Sequence, residues 1–171
     1  MSPTLSQRLD LLARNVIPAA LGVVLVLLST IPYYIPGYAP TAANLVLIAV
    51  FYWAVHRPDL LSPVTAFLIG LLQDILIGMP PGMNALVLVL ARTVAVSQGR
   101  VFRGRSFVLL WWGFGLMAFA AAFLVWWLSM AYNFIYIDPK PGLFQAAMTT
   151  ALFPFLAGLF TLMQQKLLSQ V

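Results

Sequence analysis

Apolar residues in this chain gather into long runs, with neither the strict alternation of a half-buried strand nor the narrow stripe of a helix resting on a soluble core. Six runs read as helical membrane spans, at approximately 16–35, 41–55, 60–79, 82–96, 107–131 and 143–168. A helix needs about 20 residues to cross a bilayer's hydrocarbon, so the second and fourth runs, at roughly 15, are short. Prolines and polar residues collect between the runs as IPGYAP, HRPD, MPPG and IDPKPG. Proline lacks an amide hydrogen and disfavours helix in the residue before it, so these clusters delimit hairpins. Within the runs, Pro18 falls in a first turn, and Ser62 before Pro63 reads as an N-cap followed by a first-turn proline. Pro154 lies inside the last run and predicts a kink, with Ala151 and Gly158 allowing close packing around it.

Composition turns this pattern into a membrane protein. Of 171 residues, 63% are hydrophobic and 8% charged, and the mean hydropathy is +0.98. Soluble domains carry about 25% charged residues, and the deficit here runs the whole length. The expected architecture is an all-α, polytopic integral membrane protein of six transmembrane helices, forming one integral domain over 1–171. No low-complexity tract or internal repeat is visible. The absence of cysteine excludes disulfides and thiolate chemistry.

The net charge of +5 points to membrane sidedness, not to nucleic acid. In a six-span arrangement Arg8, Arg14, Arg57, Arg92, Arg100, Arg103, Arg105 and Lys166 fall on one side, and Lys140 alone on the other. The positive-inside rule then places both termini in the cytoplasm. Aromatic residues mark the rims: Tyr33, Tyr34 and Tyr38 at one outer position, Trp126, Trp127, Tyr132 and Tyr136 at another, and Trp53, Trp111 and Trp112 at the inner one. The first run exceeds the ~7 to 15 apolar residues of a signal core and is expected to be retained as a span.

One acid stands in the oil. In the third run Ser62, Ala66, Gly70, Asp74 and Gly78 recur every four residues as a row of small side chains, interrupted only by Asp74. Small residues let helices approach closely in lipid, so Asp74 is expected to face protein. A mid-bilayer charge costs roughly 2.5–3.5 kcal/mol even on lenient scales, and a compensating contact is required. Folding the hairpin at MPPG brings Asn84 and Arg92 into range, Arg92 from an offset of about five residues, or ~7 Å. Gln73 is placed on another face. Two roles for Asp74 stand open, an ion or proton site and a buried polar clamp made with Asn84 and Arg92. Carriers usually show several intramembrane ionisable groups and this chain shows one, which favours the clamp.

The HRPD stretch holds the sole histidine, His56, with Arg57 and Asp59, and offers no nucleophile or metal constellation. Arg57 is expected at lipid phosphates, and Asp59 near the next helix N-terminus. QGRVFRGR, 98–105, is the longest inner loop by the charge rule, with anionic lipid or a cytoplasmic partner as its second reading. Gly115, Ala118 and Ala122, and Ala147, Ala151 and Gly158, are expected to pack the bundle internally, or else to receive a helix of another protein. Neither enzyme chemistry nor a cofactor or metal is indicated. An intramembrane enzyme acting on lipid-linked precursors would need acid and histidine clusters that are missing.

The stretch FYWAVHRPDLLSPVTAFLIGLLQDILIGMPPGMNAL, 51–86, resembles the bacterial rod shape-determining protein family MreD. The resemblance rests on Tyr52 and Trp53, on Pro58, on GLLQDIL at 70–76, and on the G-x-P-x-G-x-N-A-L pattern from Gly78 to Leu86. The last two spans resemble that family only in length and hydropathy. The resemblance implies a non-catalytic inner-membrane protein whose fold is similar to the membrane-embedded substrate-binding subunits of vitamin-uptake transporters. It implies as partners an MreC-like single-span protein, an MreB-like actin homologue, and a RodA-like glycosyltransferase with its penicillin-binding transpeptidase. It makes Gly70, Asp74, Gly82 and Asn84 motif positions. Tyr52, Trp53, Arg57, Pro58 and Asp59 are candidate interface or loop residues, and Ala66, Gly70, Gly78 and Gly82 candidate packing positions. The alternative function is a small-molecule-binding subunit of a vitamin or ion transporter. It requires an outward cavity with convergent polar groups, and the outer loops offer little beyond Asn133, Asp138 and Lys140.

Overall fold

A computed structural model describes residues 19–29, 42–102 and 106–168, and all regular structure among them is helical. The helices are α1 (Ala19–Ser29), α2 (Leu45–His56), α3 (Pro63–Ile77), α4 (Met83–Phe102), α5 (Phe107–Asn133) and α6 (Lys140–Leu168). Arg8, Arg14, Pro18, Tyr33, Tyr34, Tyr38, Arg103 and Arg105 lie outside the described residues, as do the side chains of Arg100 and Lys166.

Helix α2 is the centre. Its ten residues from Val46 to Val55 are all buried, as expected of a helix apolar on every side. Asn44 caps it by accepting the Leu47 amide at 3.1 Å, so it starts four residues later than the apolar run. At 12 residues it is about 18 Å long, well short of a hydrocarbon core. α4 and α6 pack along it. Trp53, expected at a membrane rim, is 3% exposed inside this core. Phe51 of α2 meets Phe114 of α5 and Phe153 of α6, the last two stacked with ring centres 4.3 Å apart.

Polar links fasten α6 to α2 along its length. The Gln145 side chain donates to the Ala42 carbonyl at 2.8 Å, the Asn44 amide donates to Thr149 Oγ1 at 2.9 Å, and the Tyr52 and Thr161 hydroxyls share a bond of 3.0 Å. Sequence separations above one hundred residues kept these pairs out of reach of any periodicity argument.

Three features refine the expected picture. α4 continues through Phe102, so the first part of the basic 98–105 stretch is helix and not loop. α6 is continuous through Pro154; the carbonyl that Pro154 cannot bond, four residues back on Thr150, accepts Trp111 Nε1 of α5 at 2.8 Å. Trp111 is thus a strut to α6. The two rows of small residues part company: Ala118 is 2% exposed and a side chain on Gly115 would press on Thr150 Cγ2 at 3.1 Å, whereas Ala147, Ala151 and Gly158 lie on the exposed face of α6. Ala146, Phe153, Ala157 and Phe160 fill the inward face instead.

Candidate functional site

The α3–α4 hairpin is where sequence and geometry meet. Ser62 caps α3 by accepting the Thr65 amide at 3.0 Å, with Pro63 next to it at the helix start. The face then buried is Ala66, Ile69, Gly70, Gln73 and Asp74, at helical spacing. A Cβ on Gly70 would lie 2.4 Å from Ala85 Cα and 2.6 Å from its nitrogen. Glycine here sets the distance between α3 and α4.

α3 ends at Gly78, whose φ of 75° and ψ of 25° are left-handed. The amides of Gly78 and Met79 both donate to the Asp74 carbonyl, the latter at 3.0 Å, which satisfies an acceptor at the helix end. Four residues on, Gly82 has φ of 106° and α4 begins. Both glycines hold conformations that side chains resist.

A helix start leaves four N–H groups without helical acceptors. In α4 three of them go to one carboxylate. Asp74 Oδ2 accepts Gly82 N at 2.9 Å and Ala85 N at 3.4 Å, and Oδ1 accepts Asn84 N at 3.0 Å. The fourth, Met83 N, donates to the Pro80 carbonyl at 3.4 Å. Asn84 adds its side-chain amide to Oδ1 at 2.9 Å. Four donors therefore face an acid that is 0% exposed, and the positive end of the α4 dipole faces it too. Asp74 thus closes α3 with its carbonyl and opens α4 with its side chain.

Asp74 and Asn84 are brought together as expected, but Arg92 is not part of the cluster. Its Nε donates to the Leu61 carbonyl at 2.7 Å and its Nη2 to the Pro58 carbonyl at 3.3 Å, at the opposite end of the hairpin. The carboxylate turns towards the α4 N-terminus because its donors lie there, leaving nothing for a guanidinium two turns away. At that far end Arg57 pairs with Asp59 at 3.3 Å. Burial raises the Asp59 pKa, but the hydrogen bond and charge of Arg57, with a backbone N–H, outweigh it and hold the carboxyl below its ordinary 3.8. Tyr52 and Trp53, at 2% and 3% exposed, are interior residues and present no interface as they stand.

A cavity of about 510 Å³ opens beside the hairpin turn, between α3, α5 and the start of α6. Its wall carries amides and hydroxyls from helices: Gln73, Asn84, Ser129, Gln145 and Thr149. The outer loops, where convergent polar groups are expected, are not their source, and Gln73 does not sit on another face. Gln73 is in fact 3% exposed on the same face as Asp74, and its Oε1 has no hydrogen-bond partner among the described residues. The available signal was its spacing: with Ala66, Ile69, Gly70 and Asp74 it falls on one helical face. Among the described residues no three His, Cys, Asp or Glu side chains gather as for a metal.

The long helices define the class of protein. α5 has 27 residues, about 40 Å of helix, and only 28% of its most apolar stretch is buried; the same share holds in α6. Leu116 and Phe155, at 77% and 75% exposed, project outwards, which a water-facing surface does not sustain on this scale. This is an all-helical membrane protein. The chain belongs to the rod shape-determining protein MreD family, whose family model matches residues 10–164. The match takes in α5 and α6 as well as the hairpin motif. That family is one of shape-determining membrane proteins. Neither a curated protein nor a solved structure matches the chain.

Proposed function

We propose that the chain is a non-catalytic scaffold of the bacterial cell-elongation machinery, crossing the inner membrane six times with both termini in the cytoplasm. In this reading it links MreC-like and MreB-like proteins to a RodA-like glycosyltransferase and its penicillin-binding transpeptidase. The observation that carries the choice of scaffold over carrier is the state of Asp74: all its acceptor positions are taken by its own hairpin. A relay or ion site needs an acid that can change partners. This one acts as a clamp. Lateral contact is served by the exposed small residues Ala147, Ala151 and Gly158 of α6, where a partner's helix can approach closely.

The test is replacement of the chromosomal copy in the parent cell. Depletion is expected to turn rods into spheres, and affinity capture of the tagged full chain from membranes to bring down the MreC-like and RodA-like proteins. Ala151→Trp should weaken capture while leaving the melting temperature of the purified protein unchanged. Rods that persist on depletion, or capture of neither partner, would sink the proposal.

A further inference from the structure

A hollow of about 230 Å³ runs along the outside of the bundle between α4 and α5. Phe51, Ala91 and Ala121, all buried, form its floor. Leu90 and Val94 of α4 stand on one side of it and Leu116 and Ala120 of α5 on the other, all four exposed. Among the described residues the one polar side chain that lines it is Gln98, at one end. Along α4 the lining runs from Val87 to Gln98, about 16 Å of helix. That is about half of a 30 Å hydrocarbon core, the depth of one leaflet.

Length and charge select the occupant. A partner's spanning helix, about 10 Å across and about 30 Å long, would overfill a hollow of this volume and run past its end. A single acyl chain matches the depth of one leaflet, and an apolar wall gives it contact with no polar group to desolvate. The end at Gln98 adds the headgroup. Gln98 is exposed, and α4 continues past it through Arg100 to Phe102. The stretch QGRVFRGR, 98–105, holds three arginines and no acid, and such a surplus attracts anionic headgroups.

We infer that the hollow between α4 and α5 binds one acyl chain of an anionic glycerophospholipid, with the headgroup at Gln98 and the basic end of α4. The inference rests on the membrane setting alone and is independent of the partners proposed above. Native mass spectrometry tests it, on the full chain released from detergent micelles carrying equal amounts of dioleoyl phosphatidylglycerol and dioleoyl phosphatidylcholine. One phosphatidylglycerol per chain is expected, with phosphatidylcholine retained about tenfold less. Ala120→Phe projects a ring into the hollow from an exposed position and should lower phosphatidylglycerol retention about tenfold, with the melting temperature unchanged. Equal retention of the two lipids overturns the inference, as does retention of neither, or undiminished phosphatidylglycerol in Ala120→Phe. Loss of MreC-like capture in Ala120→Phe with the lipid still retained would give the hollow to a partner's helix and overturn it too. If Ala120→Phe does not fold, Val94→Phe on the facing side decides alone, and unchanged retention in it overturns the inference.

Discussion

The α3–α4 and α5–α6 pairs face the same difficulty and solve it with opposite chemistry. In an apolar surround every backbone N–H and C=O must find a partner within the protein. At α3–α4 the unsatisfied groups are a cluster of donors at a helix start, and a carboxylate answers all but one of them. At α5–α6 the unsatisfied group is a single acceptor, left on Thr150 by Pro154, and the neutral indole N–H of Trp111 answers it. A charge is stabilised where several N–H dipoles converge on it; a lone carbonyl needs only a lone donor. The first device ties two helix ends together, whereas the second mends one gap in one helix.

That contrast ranks the expected damage. Asp74→Ala should destabilise most, by about 3–5 kcal/mol, because it strips three helix-start donors of their acceptor at once. Thermal unfolding of the purified protein measures it, and Asp74→Asn, keeping one acceptor oxygen, should fall roughly halfway. Next comes Gly70→Ala, about 1–3 kcal/mol, since the added Cβ meets the Ala85 backbone and not a movable side chain.

Trp111→Phe should lose about 1 kcal/mol, and the loss should vanish in a Pro154→Ala background, where the restored N–H reclaims the Thr150 carbonyl. A double-mutant cycle without coupling would show that Trp111 serves α6 in some other way. Were Trp111→Phe as harmful as Asp74→Ala, the contrast between the pairs would collapse. Smallest is the effect at Arg57–Asp59. The Asp59 carboxyl is held below its unfolded value, so the stability it contributes is complete above about pH 4 and fades as pH falls through the lower folded value. At 61% side-chain exposure it amounts to a few tenths of a kcal/mol. Asp59→Asn should flatten that acid limb of the melting curve and change nothing near neutrality.

Asp74, Asn84 and Gly70 are legible in the sequence because each follows from a local rule, whereas Gly78 and Gly82, expected as packing positions, meet nothing within 4 Å and serve the turn through their positive φ. A four-residue row picks the buried face of α3, glycine marks its end, and a short connector folds the next helix back. Arg92 was misassigned for an equally local reason. Spacing gives the height of a side chain along a helix and not the direction in which it reaches. The helix-start donors at Gly82, Asn84 and Ala85 were the signal that would have aimed Asp74 correctly. The α2–α6 bonds and the Gln73 wall depend on neighbours far along the chain, and no window of sequence contains both halves.

The bonds that Asp74 makes with α4 join residues only eight to eleven apart. Those fastening α6 to α2 bridge 103 to 109. Closing a short loop loses little chain entropy, so α3 and α4 can settle as a unit while the ribosome is still making α5. The acid enters the bilayer with its hydrogen bonds already supplied by its own hairpin, and the last helix then docks onto a finished platform.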